Sequence, residues 1–222
     1  MSSSNADDRV LERISQDQLN AMVNLHARFL EGRLGGRRAD LKYTDLSGLS
    51  LNEQNLSQSH FMGCDLSRTD LSSTNFREAV LYACDLSNAN LYKTNFIRAD
   101  LRGAKIENAN LAGADLEQAD LRIGGLATGN NFSAGQAVNF KGANLSGAKL
   151  VGSMASNADF SDAMLNGANI GGADLSGAML EGADLSNSDI NGTKLAGANL
   201  KSATLTGIDE ELLSRPDLDL TD

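Results

Sequence analysis

Few side chains in this sequence are suited to chemistry. There are two histidines, His26 and His60, and two cysteines, Cys64 and Cys84. Nucleophilic or acid–base catalysis needs a nucleophile and a base that the fold brings together, held by a third group. Neither histidine sits in such a motif: His26 lies in an apolar stretch of helical spacing, and His60 directly precedes Phe61. The cysteines lack the Cys-x-x-Cys spacing of a zinc or redox site, and no glycine-rich phosphate loop is present. The residues therefore point to a protein without catalytic residues, cofactor or metal. Carboxylates do recur, with Asp45, Asp65, Asp85, Asp100 and Asp120 falling at multiples of five.

Composition narrows the class further. The chain has 222 residues, of which 41% are apolar, so it can bury a core and disorder throughout is excluded. Only 5% are aromatic, with no Trp and the single proline Pro216, against 22 glycines. Such bias suits a repetitive scaffold better than a conventional enzyme. The net charge of −10 argues against a basic nucleic-acid-binding face and against attraction to anionic membranes. The first residues, MSSSNADDRVLERIS, hold no apolar signal core, and no run approaches the ~18 apolar residues that span a bilayer. A cytoplasmic protein is the expectation, and two cysteines in a reducing compartment should stay thiols.

The elements that position these residues follow from a period of five. From Leu41 to Leu126 a large apolar residue stands at every fifth position without exception. The pattern then breaks and resumes one register earlier, from Phe140 to Leu205, interrupted only by Ala155. A small residue precedes nearly every large one by two positions, with Leu49, Gln54 and Val138 the exceptions, and Asp or Asn usually stands between them. A period of five fits neither the 3.6 of a helix nor the 2.0 of a strand. Each unit must carry its own bend, point one large and one small residue inward, and stack on its neighbours as a solenoid.

These units, as in Gly182-Ala183-Asp184-Leu185-Ser186, resemble the pentapeptide-repeat family, whose motif is roughly A-[DN]-[LF]-x-x. The resemblance covers residues 39 to 206. It implies an all-β solenoid, a right-handed quadrilateral β-helix of about eight coils with four pentapeptides per coil. At ~4.8 Å between stacked strands the rod is about 40 Å long. The 20-residue coil would stack Cys64 on Cys84 as buried small residues. It would align Asp45, Asp65 and Asp85 in one outward column, and Asp100 with Asp120 in another. Like charges so close ask for an explanation. Three remain open: solvation with Arg68, Lys93, Arg98 and Arg102 as counter-charge, a bound hard cation, or mimicry of a phosphate row.

The ends read as covers for the open coils. Residues 1–14 are expected to be disordered. Residues 15–38 form a helical cap, with Ser15 and Gln18 at capping-box spacing and Leu25, Phe29 and Leu30 as the covering face. The stretch His26-x-x-Phe29-Leu30 followed by Gly35-Gly36-Arg37-Arg38-Ala39-Asp40-Leu41 resembles a leader found before the repeats of bacterial members. At the other end, 207–222 reads as a short helical turn from Ile208 to Leu213 and an acidic tail; the resemblance allows a monomer or a weak dimer through a terminus. Between the repeat blocks 39–126 and 138–206 lies the break, 127–137. Leu121 to Phe140 is 19 residues, one short of a coil. The simpler reading is a distorted coil plugged by Phe132; the other is a projecting loop with Asn130, Asn131 and Phe132 at a partner.

Two functions from different classes follow. One is a non-enzymatic protein-interaction scaffold with an unknown protein partner. The other, implied by the resemblance, is a DNA mimic that binds DNA gyrase, as quinolone-protecting members do. Charge separates them. Twelve acids against eight bases in 39–126, and six against four in 138–206, leave the repeat rod near −6. Forty ångströms of duplex DNA would carry about −24. The scaffold is the better reading.

Overall fold

The computed structural model describes residues 11–125, 135–209 and 211, and the backbone of 127–128 and 131–132. The period of five becomes a four-walled parallel β-solenoid. Residues pair with those one coil on: Asp45 with Asp65, Asp65 with Asp85, Asp85 with Lys105, and across the break Lys105 with Asn139. We call the ladder that begins at Asp40 wall 1, and those beginning at Asp45, Ser50 and Asn55 walls 2, 3 and 4. Strands of two or more residues occur on wall 1, where β2 (Asp40–Lys42), β4 (His60–Met62) and β5 (Val80–Tyr82) pair in parallel, and at the start of wall 2, which β3 (Thr44–Asp45) opens. Elsewhere each wall residue is a single bridge between two turns.

The turns explain the period. In most units the N–H three residues beyond the wall's large residue bonds back to its carbonyl, as Leu49 to Leu46 at 3.1 Å. The second central residue has positive φ, +69° at Gly48 and +57° at Arg68. This is a type II turn, which asks for glycine or asparagine at that place. Block 2 mostly supplies glycine there; block 1 places Glu53, Gln58, Arg68, Lys93 and Arg98 in the same left-handed region. Between turns the large and small residues point inward. Leu46, Phe61, Leu101, Ala104 and most of their equivalents are wholly buried, with Leu41 and Leu205 at the two ends only partly so. Threonines in the small slot donate to a carbonyl 23 residues earlier, as Thr74 to Leu51 at 2.8 Å and Thr94 to Leu71 at 2.7 Å.

The cap works wall by wall. The N-terminal stretch is not disordered up to residue 14: β1 (Glu12–Arg13) pairs in parallel with β3 and adds a rung to wall 2, because Tyr43 and Asp45 leave carbonyls open there. Residues 1–10 lie outside the described residues. Helix α1 (Gln16–Leu30) starts at Ser15 with a capping box, Gln18 N–H to Ser15 Oγ and Ser15 N–H to Gln18 Oε1. The Gln16 amide bonds both the N–H and the carbonyl of Ser50, so a side chain stands in for a strand at the foot of wall 3. The covering face is Leu19, Val23 and His26 rather than Leu25, Phe29 and Leu30; Phe29 is 37% exposed. Helical spacing fits both sets, and the ring of His26 decides between them by bonding to the coil.

The break is neither a short coil nor a distorted one. Ile106 is followed on its column by Phe140, 34 residues on, since the Ile106 N–H bonds the Asn139 carbonyl at 2.7 Å. Fourteen residues are therefore inserted into a normal coil. Phe140 takes the inward place assigned to Leu126, which lies outside the described residues. The insert is a hairpin: Gly124 and Gln136 pair antiparallel, and β6 (Ala127–Thr128) pairs with β7 (Asn131–Phe132). At the C-terminal end Ile208 is buried. Of the expected terminal turn and tail, residues 210 and 212–222 lie outside the described residues.

Candidate interaction surface

The hairpin leaves the rod at the corner between walls 1 and 2. Its foot lies on the two preceding coils. The Tyr82 hydroxyl donates to the Gly125 carbonyl at 2.9 Å and accepts from the Gly125 N–H at 2.8 Å. Gln136 Nε2 donates to the Gly103 carbonyl at 2.8 Å. The backbones of Gly103 and Gly124 approach so closely that a Cβ on Gly103 would stand 2.6 Å from the Gly124 oxygen. The foot is thus clamped by hydrogen bonds on a contact that only glycine allows. Beside it an open cleft of about 350 Å³ is lined by Arg102, Arg122, Ile123, Ser156 and Asn157. Ile123 is half exposed, a large apolar residue at the edge of this cleft.

The aspartate columns flank this corner. Asp45, Asp65 and Asp85 stack on wall 2, and Asp100 with Asp120 on wall 1. Each is already engaged: one carboxylate oxygen accepts the N–H two residues on, Ser47, Ser67, Ser87, Arg102 and Arg122 in turn, at 2.8 to 3.2 Å. That N–H opens the turn and has no ladder partner, so the side chain supplies one. Of the expected counter-charges only Arg102 is placed at the columns, and Arg13 and Arg122 join it. Asp45 takes Arg13 at 2.8 Å, and Asp100 and Asp120 each receive two bonds from Arg102 and Arg122 respectively. Arg98 instead pairs with Glu78, and Lys93 lies over Tyr92.

These pairings shift titration. Burial works against the charged form of Asp120. The side-chain and backbone hydrogen bonds of Arg122, with the charges of Arg122 and Arg102, outweigh it and hold the carboxyl below the ordinary aspartate range. Arg102 is raised, first by its hydrogen bond to Asp100. Asp65 and Asp85 have no ion pair among the described residues. No group of three or more His, Cys, Asp or Glu is arranged to hold a metal there.

The remaining candidates are structural. Cys64 and Cys84 are free thiols in the inward small slot, each pointing its sulfur at a carbonyl 23 residues back, as the threonines do. Burial pushes the Cys84 thiol up, the opposite of an activated nucleophile. His60 is half-buried on wall 1. Asn130 lies outside the described residues, while Asn131 and Phe132 are placed only as backbone on β7. The clamp of Tyr82, Gly103 and Gln136 was not singled out from the sequence. Its signal was the 34-residue step from Ile106 to Phe140, bracketed by Gly124-Gly125 and Gly135.

A family model for pentapeptide repeats matches in eight copies over residues 44–81, 84–122, 136–172 and 168–207. HetL, a pentapeptide-repeat protein involved in heterocyst differentiation regulation in the cyanobacterium Nostoc sp. strain PCC 7120, is 28% identical over 81% of this chain and 94% of its own, with a TM-score of 0.32. QnrB1, a plasmid-mediated fluoroquinolone resistance protein, is 20% identical over 80% and 93%, at 0.42. A thylakoid-lumen pentapeptide-repeat protein of Arabidopsis thaliana is 29% identical over 59% and 67%, at 0.20. No curated protein matches the chain. No helix among the described residues is long and apolar enough to cross a membrane. With most of the solenoid matched by that model, the chain belongs to the pentapeptide-repeat family.

Proposed function

We propose that this chain is a non-enzymatic scaffold of the cytoplasm that binds another protein at the corner between walls 1 and 2, with the hairpin of 124–136 as its distinguishing mark. One observation carries the reading: the hairpin foot is built into the rod by Tyr82, Gln136 and the Gly103–Gly124 contact. An insertion that folding merely tolerated would need no such clamp. The clamp presents Ile123 and the Arg102–Arg122 cleft on a rigid support, which suits recognition of a partner with an apolar anchor.

A photo-crosslinking residue at Ile123 should capture the partner from cytoplasmic extract. The same residue at Ala196, on the same corner further up the rod, should not. Equal capture at both sites would end the assignment of the corner. Gyrase, the alternative partner, is tested in parallel with purified enzyme. Of the five column aspartates only Asp65 and Asp85 lack an ion pair among the described residues, too few to stand for a phosphate row, so we expect no inhibition of supercoiling at micromolar protein. Salt-sensitive inhibition, abolished by the triple variant Asp45→Asn, Asp65→Asn, Asp85→Asn, would favour mimicry instead.

A further inference from the structure

His26 is wholly buried where α1 meets the first coil. Both ring nitrogens are bonded to coil backbone. Nδ1 accepts the Ala39 N–H at 3.1 Å, and Nε2 meets the Ser57 carbonyl at 3.0 Å. The partners dictate the protonation state. A carbonyl only accepts, so Nε2 carries the hydrogen; an amide N–H only donates, so Nδ1 is bare. The ring is neutral, and it stacks on Phe29 at 5.7 Å between centroids. A further proton has one place to go, Nδ1, where it would face the Ala39 N–H and turn a hydrogen bond into a clash of two donors.

We propose that His26 is a proton-operated latch: neutral, it holds α1 on the first coil, and its protonation releases the helix and uncovers the coil edge beneath.

The surroundings give the second proton no help. Arg38, on the chain entering the coil, faces the ring with like charge. Arg28 and Glu31 at the helix end and Asp40 of β2 are all exposed, and Glu31 is spent on Arg33. Burial first, and then Arg38, depress the imidazole against the opposing pull of the Ser57 bond. The other contacts of the cap, from β1 and Gln16, involve no histidine. Acid therefore acts on the His26 end of the helix, freeing Val23 and the coil face it covers while β1 stays paired. This device is independent of which partner binds the corner.

The sign follows from linkage. In the released state His26 is exposed, with the ordinary value of about 6.5, while the latched state binds its proton more weakly. As pH falls below about 6.5, the released state gains by up to about tenfold per unit until the latched state can itself be protonated. Hydrogen exchange of the full chain, corrected for intrinsic rates, should show α1 losing protection about tenfold or more between pH 6.5 and 5.0 while the coils around Phe96 hold theirs. His26→Gln should make α1 exchange independent of pH, and His60→Gln should behave as the parent. A flat profile for α1 in the parent, or the same pH dependence in His26→Gln, overturns the latch. Should His26→Gln leave α1 unprotected at every pH, NMR titration of the parent decides. The His26 ring and the α1 amides must then share one midpoint, and an imidazole that titrates with α1 unmoved refutes the proposal.

Discussion

The hairpin clamp can be measured with two alanines. Gly147 and Gly103 occupy the same place in the turn, with φ of +64° and +68°. A Cβ on Gly147 would meet nothing within 4 Å, whereas one on Gly103 would sit 2.6 Å from the Gly124 oxygen and 2.7 Å from its carbon. Gly147→Ala therefore pays only for the left-handed backbone, ~1–2 kcal/mol. The smaller freedom of alanine in the unfolded chain returns ~0.4–1 kcal/mol. The net loss is about 1 kcal/mol. Gly103→Ala pays the same and forces two backbones apart, which adds ~1–3 kcal/mol of overpacking and strains the Gln136 and Tyr82 bonds, each worth ~1 kcal/mol. Its loss should reach about 3 kcal/mol by urea denaturation. If instead the hairpin lifts off, stability is spared, but the paired amides of Gly124 and Gln136 lose exchange protection. Equal urea midpoints for the two variants, with those amides still protected in Gly103→Ala, would refute the clamp.

Two further outcomes test the core and the charges. Leu101 and Ala104 are both wholly buried. Leu101→Ala should cost ~2–5 kcal/mol by leaving a cavity, and Ala104→Leu ~1–3 kcal/mol by overfilling the small slot; a variant within ±0.5 kcal/mol of the parent would place its residue outside the core. Asp120 has a depressed pKa, so its contribution to stability is complete above the unfolded value of about 3.9 and is lost as pH falls through the lower folded value. Carboxyl NMR of Arg122→Gln should show Asp120 titrating at higher pH than in the parent, and an unchanged midpoint would mean the bidentate contact does not form.

The solenoid was legible because its physics repeats: one large and one small inward residue every five, over some thirty units, leaves few alternatives. The break was misjudged for the same reason. Counting from Leu121 to Phe140 gives 19, close enough to a coil to hide an insertion of 14 residues. Only the pairing of Lys105 with Asn139 shows which column Phe140 joins. The cap was legible as a helix but not as a set of bonds. Spacing alone cannot show that Gln16 would imitate a strand or that His26 would turn inward. Those roles depend on which backbone groups the first coil leaves open.

The aspartates have a cause in folding that precedes any cause in binding. Beyond Asp40, wall residues of type Asp or Asn accept the N–H that opens the next turn, at Asp45, Asp65 and Asp85 as at Asn75, Asn95 and Asn139. Either side chain offers that oxygen, so the fold selects the type and leaves the charge free. Where charge was chosen, counter-charge is often placed with it: Arg13 at Asp45, Arg102 at Asp100, Arg122 at Asp120, Lys149 at Asp115 and Lys194 at Asp174. A phosphate mimic needs the opposite arrangement, a row left open for a basic partner to neutralise. On wall 2 the column ends on Arg13 at Asp45 and runs into Lys105 after Asp85. That leaves Asp65 and Asp85 as two neighbouring charges between cations, and the uncommon feature of the corner is the clamped hairpin beside them.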